Sequence, residues 1–578
     1  MKRGPGFGVA AAAVAAWGAA LAYSTLAGRV MYGDGAWYVL VHLITPHRFN
    51  DYDFQRSFAS FVSQAPMLFG QRAGLESASA YVMLYSFGAL VIPAMLMMAA
   101  LVLARRQPVL FAANVVGIAI YGFGTNFINT EANLLFGLVW LAATILALDR
   151  PAPLLRGFVL PVVSFGLLRT YEGMLLVGPF LALWAAIAST RAADVGERLG
   201  LLVAAFLFAL GAVIGLGGFL SPRDASNASS FLGSALRYLG HPHAFLMASA
   251  FFALAAVVVR GGARIGCAVV SALLGAAFVA GIARLSGFYG FDVYYHNRSF
   301  MVLALPLLVA ALLAAWYLRP HWLAMRGAGE GYAVLLVPIF FAVSGDMLGT
   351  HRWARYVDAF CQVLERPGTP HERIQALKSA DVRTAWPWTH PTMSLLLRDR
   401  GSGAMVVNDP GSFGWEPFDP NRAPTIDYRG FCQAPPFAPA KADSFERPIV
   451  FSGARFPSYV AKVEGLARPE SWGTWSEGPT VKFEFATPLP ESFDLAVRVG
   501  TAYGANRGAP IEVRAGAARQ AFVVDRDGYE TTLQFREAGK ATALTFVIPK
   551  PQSPLELGAG NDPRKLGIGF VSLRVIPR

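Results

Sequence analysis

Long apolar blocks alternate with short polar gaps along the first 350 residues of the chain. Each block is about 17–25 residues long, the length that an α-helix needs to cross about 30 Å of hydrocarbon. Beyond residue 350 no apolar run approaches that length, and Pro, Asp, Glu, Arg and Trp become frequent. The pattern predicts about eleven membrane-spanning helices, near residues 7–28, 79–104, 108–127, 131–149, 155–170, 172–189, 199–219, 242–260, 265–285, 300–318 and 331–349.

The polar pattern changes again after residue 446. Short segments such as T-V-K-F-E-F-A and F-D-L-A-V-R-V alternate apolar with polar residues and are separated by Gly, Pro and Asn. Period-two alternation at this spacing is typical of a β-sandwich, here of about eight strands. The sequence therefore predicts a polytopic α-helical membrane domain over residues 1–350, an α/β linking subdomain over 351–446 and a β-sandwich over 447–578.

Composition and charge agree with a membrane protein. Only 15% of the residues are charged and 54% are hydrophobic, whereas soluble domains carry about 25% charged residues. The net charge of +12 does not indicate a nucleic-acid partner, because the arginines lie in short gaps rather than in a stripe interleaved with aromatic residues. The Arg-bearing gaps alternate with the others, and the positive-inside rule places them and the N-terminus in the cytoplasm. An odd number of spans then places the C-terminal region on the outer face.

Candidate chemistry lies in the gaps that this topology assigns to the outer face. The first of them, residues 29–78, is too long for a simple connector and contains two amphipathic segments suited to the membrane interface. Asp34 lies there between two glycines, as a helix cap or turn residue or as a catalytic base. Glu131 opens a later span, where a carboxylate either caps the helix or faces a watery cavity or a partner.

Two further outer gaps supply cationic side chains. Arg169 and Glu172 lie three residues apart, so they pair with each other or offer a guanidinium to a phosphate. Arg298 precedes a span on the outer side, with His296 two residues before it. An arginine there opposes the positive-inside trend and favours a specific anionic partner. Together the gaps predict a cavity that accepts a lipid-linked anionic substrate.

The cysteines are distributed in the same way. Cys267 lies inside a predicted span, whereas Cys361 and Cys432 both lie in the region assigned to the outer face. Two cysteines in an oxidising compartment form a disulfide or remain as two buried thiols, and the sequence leaves both alternatives open.

The layout resembles the GT-C superfamily of membrane glycosyltransferases. Y-G-D-G at 32–35 matches the acidic residue that members carry soon after the first span, and T-E-A at 130–132 matches a second acidic residue near the second outer loop. The resemblance covers about residues 1–350 and rests on layout more than on motifs. Some members have an Asp-Glu pair where this chain has a lone Asp, so a divalent metal ion stays an open question.

The resemblance implies an inverting glycosyltransferase of the bacterial inner membrane, within the cell envelope. The donor would be a polyprenyl-phosphate-linked sugar, the acceptor a periplasmic glycan or lipid, and the surroundings membrane lipid. Asp34 would be the catalytic base that deprotonates the acceptor.

The other outer residues would assist the same reaction. Arg169 and Arg298, with His296, would bind the donor phosphate, and Glu131 and Glu172 would be supporting acids.

A second resemblance concerns the C-terminal region. The segment A-R-P-E-S-W-G-T-W-S-E-G at 467–478 resembles the entry strand of jelly-roll carbohydrate-binding modules. Trp472 and Trp475 would stack on sugar faces or, alternatively, fill the core of the sandwich.

Other functional classes stay open. A transporter or flippase of lipid-linked saccharides would show internal repeats, and none is evident. A polysaccharide polymerase and a non-catalytic glycan-binding envelope protein are further alternatives. No Walker A loop, zinc-type Cys/His spacing, G-x-S-x-G or dinucleotide fingerprint is present in the sequence.

Overall fold

The computed structural model divides the chain into two compact units, Met1–Pro436 and Phe437–Arg578. It describes residues 5–44, 54–75, 77–121, 130–149, 152–220, 231–284, 291–320, 330–365, 370–379, 389–398, 406, 430–432, 445, 448–451, 456–457, 459–467, 470 and 472–578.

The first unit is helical over the residues that are described. Two helical stretches each contain a π-helical segment, at Phe87–Val91 and at Leu155–Val159. The α-helices are α1 (Pro5–Leu26), α2 (Asp34–Ile44), α3 (Ser57–Arg72), α4 (Ala78–Ser86), α5 (Ile92–Ala104), α6 (Pro108–Tyr121), α7 (Thr130–Ala147), α8 (Leu160–Leu167), α9 (Met174–Arg191), α10 (Val195–Leu220), α11 (Phe231–Tyr238), α12 (His243–Val258), α13 (Gly262–Arg284), α14 (Phe291–Leu318), α15 (Glu330–Val334), α16 (Leu336–Glu365), α17 (Pro370–Ser379) and α18 (His390–Leu397).

Seven helical stretches among the described residues are long and apolar enough to cross a membrane. They are Gly6–Leu26, Ala78–Ala104, Met174–Arg191, Val195–Gly218, Gly262–Arg284, His296–Leu318 and Tyr332–Glu365. Shorter apolar helices lie at the other four predicted positions, at Pro108–Tyr121, Glu131–Ala147, Leu155–Leu167 and His243–Val258. A helical, membrane-like N-terminal region is thus confirmed, and the count of eleven spans stays a prediction.

These helices present apolar side chains outward as well as inward. Along α10, Leu199, Phe206 and Val213 are each more than 60% exposed. A helix that is apolar all round is typical of a membrane span, because water would penalise so large an exposed apolar surface. The interior is filled by large rings, and Trp17 and Trp140 are almost fully buried.

A buried ion pair joins the end of α1 to α16. Arg29 Nη1 lies 2.5 Å from Asp346 Oδ1, and both side chains are under 10% exposed. The same nitrogen donates to Ser24 Oγ at 3.1 Å and to Thr350 Oγ1 at 2.9 Å. Hydrogen bonds of this kind offset part of the cost of removing two charges from water.

Helix α16 continues past the end of its apolar part. It runs unbroken from Leu336 to Glu365, across residue 350, where the sequence predicts a domain boundary. A disulfide joins Cys361 in this helix to Cys432, with the two Cα atoms 5.8 Å apart. The Phe431 amide donates to the carbonyl of Leu396 in α18, so the disulfide ties α16 to a segment that pairs with α18.

The second unit consists of two antiparallel five-stranded sheets over its described residues. The first sheet has the order β1-β10-β5-β8, with β3 also paired to β10, and the second has the order β2-β4-β9-β6-β7. The strands are β1 (Ile449–Val450), β2 (Val460–Glu464), β3 (Thr474–Glu477), β4 (Thr480–Phe485), β5 (Phe493–Ala502), β6 (Pro510–Ala515), β7 (Ala518–Val523), β8 (Tyr529–Phe535), β9 (Ala543–Val547) and β10 (Leu566–Pro577).

One hydrophobic core serves both sheets. The ring of Phe570 from the first sheet lies 5.1 Å from that of Phe546 and 6.3 Å from that of Phe483, both from the second. Alternate residues of β4 and β5 point into this core, as the period-two pattern predicts. A C-terminal β-sheet domain is therefore confirmed, and its jelly-roll likeness stays a prediction.

Candidate active site

Five side chains from separate parts of the first unit form a charged cluster: Arg56, Glu131, Tyr171, Glu172 and Arg298. Arg56 is its centre. Its Nη2 and Nε lie 2.8 Å and 2.9 Å from Glu172 Oε1, and its Nη1 lies 3.9 Å from Glu131 Oε1. The side chains of Arg56, Glu131 and Glu172 are each about one-fifth exposed. The cluster is thus shielded from solvent but not sealed.

Tyr171 provides the aromatic member of the charged cluster. The guanidinium carbon of Arg56 lies 5.1 Å from the centre of the Tyr171 ring, and that of Arg298 lies 5.9 Å from it. Tyr171 is only 8% exposed. Arginines at these distances are attracted to the ring face, so one buried tyrosine brings two cations from different helices together.

The fold explains why these residues meet. Arg56 ends the 3₁₀ turn Phe54–Arg56 and immediately precedes α3. Glu131 lies in the first turn of α7, and Tyr171 and Glu172 lie in the turn between α8 and α9. The Phe58 amide donates to the Arg169 carbonyl at 3.0 Å, which fixes the start of α3 against that turn.

Burial and charge both act on this group. Burial lowers the pKa of Arg56, but Glu131, Tyr171 and Glu172 outweigh it and raise that pKa above its ordinary value. Burial raises the pKa of Tyr171, although Arg298 and Arg56 pull it partly back. Arg56 therefore stays charged and Tyr171 stays protonated near neutral pH, so the phenol can donate a hydrogen bond.

The structure brings three of the predicted residues together: Glu131, Glu172 and Arg298 all belong to the charged cluster. The Arg169 side chain is exposed, and the Arg169 carbonyl accepts the hydrogen bond from the Phe58 amide. Glu172 pairs with Arg56, which lies in the long first loop. Arg56 is a partner of Glu172 that the sequence does not predict, and the pairing of Glu172 with Arg169 stays a prediction.

His296 faces a different neighbour from Arg298. Its ring centre lies 5.8 Å from that of His241, and its side chain is 8% exposed. Two residues along an α-helix correspond to about 200° of rotation, so His296 and Arg298 point to opposite sides of α14. Burial, and then the neighbouring His296, lower the pKa of His241.

Asp34 is the first residue of α2, directly after Gly33. Gly33 has a φ of 63°, the left-handed region that glycine adopts without strain. The side chain of Asp34 lies outside the described part of the structure. Its convergence with the arginines therefore stays a prediction.

Sequence reasoning did not single out Arg56, Tyr171 or His241. A signal for Arg56 was present, because it is an arginine in an outer gap, the same departure from the positive-inside trend that identified Arg298. The sequence contains no signal for Tyr171, because tyrosines are enriched at membrane interfaces whatever their function.

Helix α3 has its polar face inward and its apolar face outward. Ser63, Gln64 and Gln71 are buried, whereas Phe61 and Phe69 are 52% and 66% exposed. The inward residues have polar partners: Gln64 Oε1 lies 2.8 Å from His42 Nε2, and Gln71 Nε2 donates to the His42 carbonyl at 2.6 Å. In water a helix buries its apolar face, so this arrangement indicates an apolar medium outside α3.

The outward face of α3 lines an apolar cavity of about 620 Å³. Phe61, Ala65 and Phe69 of α3 form one wall, and Leu84 and Phe87 contribute to the other. The two walls approach closely at Gly88, where an added Cβ atom would lie 2.5 Å from the Ser63 carbonyl oxygen. Among the described residues, no group of three or more His, Cys, Asp or Glu side chains is arranged to hold a metal ion.

Both predicted tryptophans of the second unit lie outside its buried core. Trp472 is 37% exposed and Trp475 is half-buried. Their ring centres are 5.4 Å apart and the planes are nearly perpendicular.

Comparison with known proteins gives partial matches. Residues 439–577 match a family model described as a domain of unknown function, DUF7024. A protein named phosphoglycerol transferase I from Citrobacter koseri is 44% identical over 140 residues, which cover 24% of this chain and 18% of that protein. One of the same name from Escherichia coli is 44% identical over 142 residues, with the same shares covered. The matched region thus spans less than one-fifth of the length of these relatives.

One solved structure aligns with most of the chain. The arabinofuranosyltransferase AftD from Mycobacteria covers 97% of this chain and 59% of its own, at 11% sequence identity and a TM-score of 0.27.

Proposed function

We propose that this chain is a membrane transferase that moves a sugar from a polyprenyl-phosphate donor to a glycan or lipid acceptor on the outer face of a bacterial inner membrane. The observation that carries the proposal is the position of the charged cluster at the start of α3, whose outward face lines the apolar cavity. A donor with an anionic headgroup and a hydrocarbon chain matches Arg298 of this cluster and the apolar cavity.

The dimensions support one amphiphilic substrate. Arg56 precedes Phe61 by five residues, which is about 8 Å along a helix, and Phe61 precedes Phe69 by about 12 Å. A phosphate near the charged cluster would therefore be followed directly by an apolar surface that accepts several isoprene units. Such a surface is of no use to a water-soluble nucleotide donor.

The proposed chemistry is an inverting displacement. Asp34 takes the proton of an acceptor hydroxyl, and the oxygen attacks the anomeric carbon of the donor sugar. The new C–O bond forms as the bond from that carbon to the phosphate oxygen breaks, and polyprenyl phosphate leaves with the electron pair. Arg298 and the exposed Arg169 offset the negative charge that develops on the phosphate.

The remaining members of the charged cluster position these groups. Glu131 and Glu172 hold Arg56, and Tyr171 holds Arg56 and Arg298 by its ring. The relatives named for phosphoglycerol transfer support a transferase. They also make phosphoglycerol the second candidate for the transferred group.

The test is donor turnover by the full chain in lipid nanodiscs. Purified protein is mixed with polyprenyl-phosphate sugars and an envelope-glycan extract, and release of free polyprenyl phosphate is measured. Asp34→Asn should lower the rate by about 10²–10⁴-fold, the usual contribution of a general base. Asp358→Asn, which alters an exposed carboxylate in α16, is the matched control and should turn over normally.

Three results would overturn parts of the proposal. Near-normal turnover by Asp34→Asn would remove Asp34 from the mechanism. Movement of an intact lipid-linked saccharide between leaflets, with no donor cleaved, would assign the chain to transport. Transfer of phosphoglycerol in place of a sugar would keep the site and change the donor.

A further inference from the structure

We infer that the second unit carries a saccharide-binding platform, formed by Trp472, Trp475 and Tyr503 on the outer face of the first sheet. The ligand class is a neutral oligosaccharide or polysaccharide chain. The inference rests on the second unit alone and does not depend on the transferase chemistry proposed above.

The ring of Trp472 lies directly on the backbone of two strands. A Cβ atom added to Gly569 of β10 would lie 2.5 Å from Trp472 Cη2, and one added to Gly500 of β5 would lie 3.1 Å from its Cζ3. Val499, the neighbour of Gly500, is fully buried in the core, so Gly500 belongs to the opposite face of the sheet. The two glycines thus make room for an indole on the outside of the domain.

The orientation of this indole is fixed by a hydrogen bond. Trp472 Nε1 donates to Glu470 Oε2 at 2.8 Å. The polar edge of the ring is therefore satisfied within the domain, while 37% of the side chain is exposed. An exposed ring that is held rigidly loses little conformational entropy when a ligand stacks on it.

Trp475 and Tyr503 extend the aromatic surface. The ring of Trp475 lies 5.4 Å from that of Trp472 and 5.9 Å from that of Tyr503, with interplanar angles of 78° and 84°. Neither Trp475 nor Tyr503 is fully buried. Nearly perpendicular neighbours give the surface a corner rather than a flat face, and a corner can contact two sides of a sugar ring.

Polar groups border this aromatic surface. Thr501 Oγ1 donates to Asp527 Oδ1 at 2.6 Å, and Arg507 lies 3.4 Å from the same carboxylate. The Gly528 amide donates to the Gly500 carbonyl, which ties this loop to the strand beneath Trp472. Oriented carboxylate, guanidinium and hydroxyl groups are suited to the vicinal hydroxyls of a sugar.

This combination favours a saccharide over other occupants. A pyranose has an apolar C–H face for an aromatic ring and hydroxyls at its edge for polar neighbours, whereas a hydrocarbon chain has no use for the polar border. Asp527 and Arg507 bear opposite charges and Glu470 adds a further carboxylate, so the border has no positive excess that would attract an anionic chain. A neutral chain therefore fits better than a strongly anionic one.

The test is binding of defined oligosaccharides to the full chain in nanodiscs. Linear glucan, mannan and arabinan oligosaccharides of six to eight units are titrated by calorimetry, and contacts are located by saturation-transfer NMR. Trp472→Ala should weaken binding about tenfold or more, since aromatic contacts dominate such surfaces. Gly569→Ala keeps the indole but displaces it, and should weaken binding similarly.

Val523→Ala is the matched control, because Val523 is 38% exposed and lies on the other sheet. It should bind as the unmodified chain does. Thermal unfolding of each variant verifies that the second unit is folded, and Trp472→Phe, which retains a ring, should recover part of the affinity.

The outcomes decide the inference in either direction. Equal affinity in Trp472→Ala and the unmodified chain would overturn it, as would the absence of binding to every oligosaccharide at millimolar concentration. Binding of phospholipid vesicles through Trp472, with no oligosaccharide bound, would also overturn it and would identify a lipid-facing surface.

Discussion

At the scale of single residues, Arg56 connects the charged cluster, because it contacts both glutamates and the tyrosine. Replacing it with alanine leaves Glu131 and Glu172 without this partner in a site that is only about one-fifth exposed. We expect Arg56→Ala to lower kcat for donor turnover by about 10²-fold. The side chains of the cluster would no longer be held in position, and the rate advantage that comes from orienting the substrate would be largely lost. Arg56→Lys should recover only part of this loss, because an ammonium cannot reproduce the planar fork.

The measurement is kcat and KM for polyprenyl-phosphate sugar, with Arg191→Ala as control. Arg191 also lies on an aromatic ring, 4.6 Å from that of Trp316, but at the far end of α9 from the turn that carries Tyr171. Wild-type kcat in Arg56→Ala, or an equal loss in Arg191→Ala, would contradict a specific role for Arg56.

The Arg29–Asp346 pair makes a prediction about stability. Removing one charge strands the other in a buried site, which costs about 3–5 kcal/mol, whereas an apolar pair of similar size is often neutral or better. Asp346→Asn should therefore destabilise the first unit, and the double change Arg29→Met with Asp346→Leu should recover most of the loss. The measurement is thermal unfolding in detergent, followed by tryptophan fluorescence.

Additive losses in the double variant would contradict this account. Coupling is expected because residues in contact do not behave independently. An exposed pair of the second unit, Lys462 with Glu464, is the matched control. Its loss should leave the unfolding temperature almost unchanged, because exposed ion pairs contribute little to stability.

At the scale of elements, the sequence predicts the helices well and their partners poorly. All eleven predicted span positions contain helix in the described residues, because apolar length is a local property. The meeting of Arg56 with Glu131 and Glu172 joins loops that lie 75 and 116 residues apart. No local pattern encodes such a contact. The only sequence signal for Arg56 is that it is an arginine in a gap assigned to the outer face, against the positive-inside trend.

Helix α3 illustrates a further limit of the sequence. Its periodicity predicts an amphipathic helix, but a pattern alone does not state which face is turned inward. The polar face of α3 is turned inward because Gln64 and Gln71 form hydrogen bonds with His42 of α2. The continuation of α16 beyond residue 350 was missed for a related reason, since the fall in apolar content ends a span without ending a helix.

The contact between His42 and α3 should depend on pH. Burial lowers the pKa of His42 below its ordinary value, and the hydrogen bond with Gln64 only partly opposes this shift. The unfolded or detached state therefore binds the proton more readily. The contribution of His42 to stability is fully present above the unfolded pKa of about 6.5 and is lost as pH falls below it.

Hydrogen exchange of the α3 amides measures this effect. After correction for the intrinsic pH dependence of exchange, protection should be lower at pH 5.5 than at pH 7.5. His42→Gln keeps a neutral hydrogen-bonding group and should abolish the difference. Equal protection at both pH values in the unmodified chain would contradict the prediction.

At the scale of the whole molecule, the two units carry different proposed sites. The family match at residues 439–577 falls inside the second unit, which begins at Phe437. The first unit contributes the charged cluster and the apolar cavity, and the second contributes the aromatic platform. Separate tests of donor turnover and saccharide binding therefore report on separate parts of the chain.

Two independent features support the proposed orientation in the membrane. Alternation of the arginine-bearing gaps, together with the predicted odd number of spans, predicts that the region after α16 lies on the outer face. The Cys361–Cys432 disulfide indicates an oxidising compartment for the same region. We therefore expect this disulfide to form in bacterial cells and to be lost in cells that lack the periplasmic thiol-oxidising system.

Alkylation of intact cells followed by mass spectrometry distinguishes the alternatives. Cys361 and Cys432 should be recovered as one linked peptide from oxidising cells and as two alkylated peptides from the deficient strain. Cys267, a free thiol within α13, is the internal control and should be unpaired in both. If Cys361 and Cys432 were reactive thiols in oxidising cells, the C-terminal region would face the cytoplasm. The charged cluster would then be inaccessible to a donor that enters from the outer leaflet.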